Sequence, residues 1–167
     1  MTQLKQVQIH GMLKDISDNF AALGPIGTDV GLGNLRVARF EFDVAEQDSA
    51  GANNSAVGAH GTGVILPAHA IIVGGFFDVN TAFTTSASGQ LAIHAQGAND
   101  IQTAAVVSGA PFSTVGRKAI VPKANTPEST SVKTTADREI TCTVSVGALT
   151  AGKLTGYLYY VEGIASA

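Results

Sequence analysis

Four histidines, one cysteine and a scatter of carboxylates are the residues of this chain that could carry chemistry, and their spacing assembles none of them into a site. His10, His60, His69 and His94 stand far apart. A metal centre inside a β-barrel needs two histidines one residue apart on a strand, plus a carboxylate and a further histidine, so that neutral imidazoles converge on the ion. No H-x-H occurs, and His94 shares its parity with Gln90 and Gln96, a polar face, so no metal and no cofactor is expected. There is no G-x-S-x-G elbow for a serine nucleophile. Cys142 falls on the apolar parity of a strand rather than at a helix N-terminus, where a thiolate would be favoured. Asp43, Asp78, Asp100 and Glu139 could be paired on paper for glycoside cleavage, yet the spacing singles out no two of them. The GLG at Gly31 to Gly33 opens onto a strand and lacks the Lys-Ser/Thr of a phosphate loop, so it reads as conformational freedom. No catalytic residue is assigned and no enzyme is expected. The remaining chemical feature is Tyr157, Tyr159 and Tyr160, clustered near the end of the chain. Tyrosine offers wide contact area with a polar tip, which suits a protein interface, stacking on sugar rings, or the end of a buried core.

The elements around these residues read as strands. From Ala56 to Phe83 the chain runs AVGAHGTGVILPAHAIIVGGFFDVNTAF, a Gly-punctuated approach, an ILP corner and a long alternating segment. Ile71, Val73, Phe77, Val79 and Phe83 share one parity there, and Asp78 and Asn80 the other, which marks a half-buried strand. Pro67 closes the strand before it, and Gly74-Gly75 permit a bend or bulge. Ahead of this, Ala38, Phe40, Phe42 and Val44 alternate with Arg39, Glu41 and Asp43, a strand with one wet face. The polar loop Ala45 to Ser55 is a place for contacts or for disorder. Later strands put Leu91, Ile93 and Ala95 inward with His94 outward, then follow Ile101 to Val107 and a short KAIV at Lys118 to Val121. Between Ser108 and Ser131, Pro111, Pro122 and Pro127 break any long element. The clearest hairpin joins Ile140, Cys142, Val144 and Val146, through GALTAG, to KLTGYLYYVE, a final strand apolar on both parities. Such a strand is central or meets another subunit. About eight strands at roughly ten-residue spacing predict an all-β, antiparallel two-sheet sandwich, jelly-roll-like, over 35–167.

Residues 1–34 differ from the rest. Val7 and Ile9 alternate with glutamines, then Leu13, Ile16, Phe20 and Leu23 fall at helical spacing before Gly24-Pro25. The reading is a short N-terminal arm with one amphipathic helix, packed on a neighbouring subunit or covering one end of its own sandwich. Val7, Ile9, Leu13, Ile16 and Phe20, with Tyr157 and Tyr159, are the candidate interface residues.

Bulk composition narrows the partners. The 167 residues make one domain's worth of core, 45% hydrophobic but only 14% charged, against the usual ~25%. A surface so poor in charge is either a Ser/Thr/Ala/Asn surface on a monomer or one partly covered by another chain. A net charge of −3 gives no electrostatic footprint for nucleic acid. Cys142 has no partner for a disulfide and reads as a small buried hydrophobe. The segment MTQLKQVQIHG lacks the apolar core of a signal peptide, and no run approaches the ~20 apolar residues of a membrane span, so neither export by that route nor a membrane partner is expected.

FEFDV at Phe40 to Val44, the Ala56 to Val79 stretch, QGAND at Gln96 to Asp100 and TADREITCTVSVGALTAGKLTGYLYYV from Thr135 to Val161 together resemble the head decoration or cement proteins of tailed bacteriophages. The resemblance covers most of the chain after Phe40 and implies a β-sandwich, usually a homotrimer, on the outside of the head, clamping neighbouring major capsid protein subunits. The alternative on the residues alone is a glycan- or receptor-binding sandwich of a head or tail fibre, using loops such as Ala45 to Ser55. A jelly-roll isomerase or lyase is a third reading, opposed by the missing histidine pair.

Overall fold

Alternating apolar residues can be buried only against a second apolar surface, and here two sheets supply it to each other. A computed structural model describes residues 35–120, 122 and 131–163. The readings placed on the arm, including Val7, Ile9, Leu13, Ile16 and Phe20, lie outside the described residues. Eight strands follow in order: β1 (Leu35–Asp43), β2 (Gly58–Leu66), β3 (Ala70–Thr85), β4 (Gln90–His94), β5 (Gln102–Val106), β6 (Gly116–Ile120), β7 (Arg138–Ser145) and β8 (Leu149–Glu162). They form two four-stranded sheets ordered β1-β8-β3-β6 and β2-β7-β4-β5, with every pairing antiparallel. First strand beside last, second beside seventh, third beside sixth and fourth beside fifth is the order of a long hairpin rolled into a barrel, the jelly roll. The expected all-β two-sheet sandwich is what the described residues form.

The inner faces meet in one core. Phe40, Phe42, Phe77, Phe83, Leu154 and Leu158 come from the first sheet, and Leu66, Leu91, Ile93, Ile140, Cys142 and Val144 from the second. Phe42 stacks on Phe83, and Phe112, from the loop before β6, packs against both Phe77 and Phe83. Each such ring removed from water contributes up to about 3 kcal/mol before entropy is counted. Phe40 reaches its place because its cross-strand neighbour is Gly156, where a Cβ would collide with the Phe40 ring. The loop from Ala45 to Val57 is tightly tied rather than loose. Asp48 accepts from the backbone N–H groups of Ala50 and Ala52, and the Asn54 side chain donates to the Asp43 carbonyl. At the ILP corner Thr134 donates its hydroxyl to the Pro67 carbonyl and accepts from the N–H of Ala70, closing the turn that Pro67 starts.

Three expectations are corrected. Ile71 and Val73 do not share the buried side with Phe77. The β3–β8 register shifts between Ile72 and Gly74, so Ile72 is buried and Val73 is 52% exposed. One extra residue in a strand exchanges its faces. Gly75 lets this happen beside β8, since a Cβ there would collide with the Tyr157 carbonyl oxygen. Second, β7 and β8 are not a hairpin. They belong to different sheets, joined by Val146 to Ala148, because alternation tells which side of a strand is buried and says nothing of its hydrogen-bonded neighbour. Third, Val146 lies in that link with φ of 68° and is 68% exposed, not inward with Val144.

Candidate functional site

Tyr157 and Tyr159 are not core residues. β8 is central in its sheet, with Leu154 and Leu158 turned into the sandwich, so Tyr157 and Tyr159 stand half-buried on the outer face. Tyr160 has the other parity and packs against the core. The register then builds a row across the whole sheet. Arg39 on β1 is opposite Tyr157, Tyr157 is opposite Phe76 on β3, and Phe76 neighbours β6. The Phe76 and Tyr157 rings stack with centroids 4.8 Å apart and planes 25° apart, and Tyr159 meets Phe76 edge-on at 6.1 Å. From the far side, the Arg117 guanidinium sits 4.4 Å from the Phe76 ring centre. Because β3 runs between β8 and β6, both faces of Phe76 are taken. Phe76 thus presents an edge to solvent rather than a flat platform.

Apolar residues extend this row. Val37 lies opposite Tyr159 on one side of β8 and is 55% exposed, Val73 is exposed on β3 at the other side of β8, and Leu35 and Ile71 flank Val161 at the end of the sheet. Charges are present at the margin but cancel in pairs. Arg117 donates to both carboxylate oxygens of Asp78, at 3.2 and 3.4 Å, Arg39 pairs with Glu41, and Lys153 pairs with Asp43 at 3.1 Å. The Tyr157 hydroxyl and the Glu41 carboxylate hold the Arg39 guanidinium further above its ordinary value. An apolar, aromatic centre with neutralised polar margins has the anatomy of a protein interface. Sequence reasoning found the tyrosines but missed Phe76, Arg39, Arg117 and Val37. The FF pair at Phe76-Phe77 carried the signal, since adjacent residues of a strand must face opposite sides.

Elsewhere the acids and bases are arranged for structure. A depression of about 480 Å³ is lined by Asp43, Ser55, Thr150 and Lys153, among others. Asp43 is held below the usual carboxylate range by the Ala45 N–H, against the cost of burial, and Lys153 is raised by its bond to Asp43. A carboxylate kept ionised and an amine kept protonated are poorly set for proton transfer. Burial pushes the Cys142 thiol well up, which leaves it unreactive. Among the described residues no group of three or more His, Cys, Asp or Glu could hold a metal ion. His60, His69 and His94 are not brought together, and His60 and His94 each serve a separate turn.

These features define a jelly-roll sandwich whose most chemically distinctive surface, among the described residues, is an aromatic outer sheet face. The same fold occurs in chains of three solved phage particles. The Cyanophage Pam1 capsid asymmetric unit matches with a TM-score of 0.54 at 15% identity, over 78% of this chain and 86% of that one. The capsid of Ralstonia phage GP4 matches at 0.53 and 18%, over 80% and 87%. The acid-stable capsid structure of Helicobacter pylori bacteriophage KHP30 matches at 0.50 and 11%, over 76% and 86%. No family model matches the chain, and no curated protein matches it in sequence.

Proposed function

We propose that this chain is a structural virion protein that performs no reaction: a decoration or cement protein, trimeric on the head exterior, which docks on major capsid protein subunits and holds their lattice. The observation that carries the reading is the outer face of the β1-β8-β3-β6 sheet, where the Phe76–Tyr157 stack, Tyr159 and Val37 make an apolar centre between self-neutralised ion pairs. Its fold-level likeness to chains of three phage capsids supplies the setting. A cement protein needs a rigid core and contacts repeated by symmetry, so that modest individual affinities add through avidity. Binding the assembled lattice and not its separated subunits stabilises the shell by mass action. The occupied faces of Phe76 weigh against glycan stacking on that ring, the second reading.

Electron microscopy of particles with and without the protein tests this. Expected is added density on the outer surface at three-fold or quasi-three-fold positions, and earlier rupture on heating of particles that lack it. Unchanged shells, or protein found only at a fibre tip, would overturn the reading.

A further inference from the structure

A valine stands where the backbone favours glycine. The link from β7 to β8 crosses between the sheets in three residues, Val146 to Ala148. The Gly147 N–H donates to the Ser145 carbonyl at 2.8 Å, so Val146 is the central residue of a three-residue turn, and its φ is 68°. A γ-turn closed at positive φ is the rare, strained form, and for a β-branched side chain that backbone is a genuine outlier. Such strain persists only where the surroundings impose it, and here they do. Gly147 lies against Ala87, whose carbonyl oxygen a Cβ would strike. The Thr85 hydroxyl donates to the Ala148 carbonyl at 2.8 Å while accepting from the Gly89 N–H at 3.0 Å, and the Leu149 N–H donates to the Ser55 carbonyl at 2.9 Å. The link is pinned from the β3–β4 turn on one side and from the loop 45–57 on the other.

The fold itself has little use for the Val146 side chain, most of which is in water. A single exposed valine is ordinary; one that is also strained is not, because glycine meets a positive φ without penalty. Val57, one residue before the Gly58 that pairs with Val144, is exposed at the same end of the sandwich. This tip is remote from the aromatic face. Tyr157 stands eight residues along β8 from Leu149, about 25 Å at ~3.3 Å per residue. The aromatic face looks out of its sheet and the tip lies where strands end, so the two point in different directions.

We propose that Val146, with Val57 beside it, is a second docking contact, a valine knob that seats in an apolar pocket of a neighbouring shell subunit while the aromatic face holds the first. The inference rests on the docking function proposed above, and it supplies what a clamp requires, two contacts on separate parts of one chain. The pocket is uncharged, because Ser55 to Val57, Thr85 to Gly89 and Ser145 to Ala148 hold no charged residue. A partner charge buried against this tip would find no counter-charge.

Two full-length variants test this, by denaturant unfolding and by binding to isolated shells that lack the protein. Val146→Gly removes both the strain and the side chain. It should raise the folding equilibrium constant by about fivefold or more and weaken shell binding by about tenfold. Val146→Thr keeps the β-branch and the strain, so stability should stay within about twofold, while binding should fall by about tenfold because its hydroxyl would be buried without a partner. A side chain that served the fold alone would lose stability first. The mass of each variant in solution should match that of the wild type. Val146→Gly that binds shells as tightly as the wild type, or folds less stably, overturns the second contact and leaves the aromatic one standing. A changed solution mass would assign the knob to another copy of this chain and overturn it too. Wild-type protein that leaves every shell bare overturns the docking function and this contact together.

Discussion

The two sheets share one core yet face the solvent with different chemistry. On the outside of β2-β7-β4-β5 stand Thr62, Thr141, Thr143, Ser145 and Gln90, half-exposed polar side chains, with the aliphatic Ile65 and Val106 exposed on its strands. On the outside of β1-β8-β3-β6 stand Tyr157, Tyr159, Phe76, Val37 and Val73. Neither set is needed to close the sandwich, because the inner residues of both sheets are already fully buried. Large apolar side chains reach solvent from both sheets, Ile65 and Val106 among them, but among the described residues the outward-facing Phe and Tyr rings are gathered on a single sheet. An outer face that costs solubility and contributes little to folding is the contact area that the proposed docking would use.

Inside, the difference should vanish, and the largest effects test that equivalence. Phe40→Ala on the aromatic sheet should cost about 3–5 kcal/mol, and Ile140→Ala on the threonine sheet about 2–5 kcal/mol, both read from denaturant unfolding. A negligible cost at Ile140 would mean that the second sheet only leans on the first. Outside, the sheets should part company. Replacing Tyr157 and Phe76 together by Ala should weaken particle binding by about 2 kcal/mol or more, roughly thirtyfold. Thr141→Ala with Thr143→Ala should leave binding within about twofold, as expected of side chains away from an interface. Equal losses from both pairs would remove the distinction. Next comes the bulge that turns Val73 outward. Gly75→Ala forces a Cβ onto the Tyr157 carbonyl and should cost about 1–3 kcal/mol in stability. It should also shift amide signals in β8, visible by NMR.

The inner faces were legible because burial writes a period of two into each strand, as at Phe40 and Phe42 or at Ile140 and Cys142. The breaks in that pattern were not. At Ile72 to Gly74 one residue exchanges the faces, and nothing in IIVGG states on which side of the glycines the exchange falls. The partner of β8 was hidden for a different reason. Hydrogen-bonded neighbours meet through backbone, which carries no side-chain signature, so a short link after Val144 reads as a hairpin although it crosses between sheets. The site was half legible. Tyr157 and Tyr159 stand two apart on one strand and show themselves, whereas Arg39, Phe76 and Arg117 join them only through register across four strands.

Arg117 offers the smallest and most discriminating change. Its side chain is 69% exposed, its bond to Asp78 is screened by water, and its contact with Phe76 is that of a cation on a ring face. Such an exposed ion pair contributes about 0–1 kcal/mol and such a ring contact about 0.5–1 kcal/mol. Arg117→Ala should therefore lower stability by about 1 kcal/mol, and an ion-pair share of that loss should disappear in 1 M salt, where the Debye length is about 3 Å. Its effect on docking separates the two kinds of partner. Uncovering one face of Phe76 gives a sugar ring somewhere to stack, so glycan binding that emerges or strengthens in this variant would favour a glycan-reading face. A protein partner, which meets the ring edges and the valines around them, should lose less than about tenfold in affinity, because Phe76 and Tyr157 still stack on each other without the guanidinium.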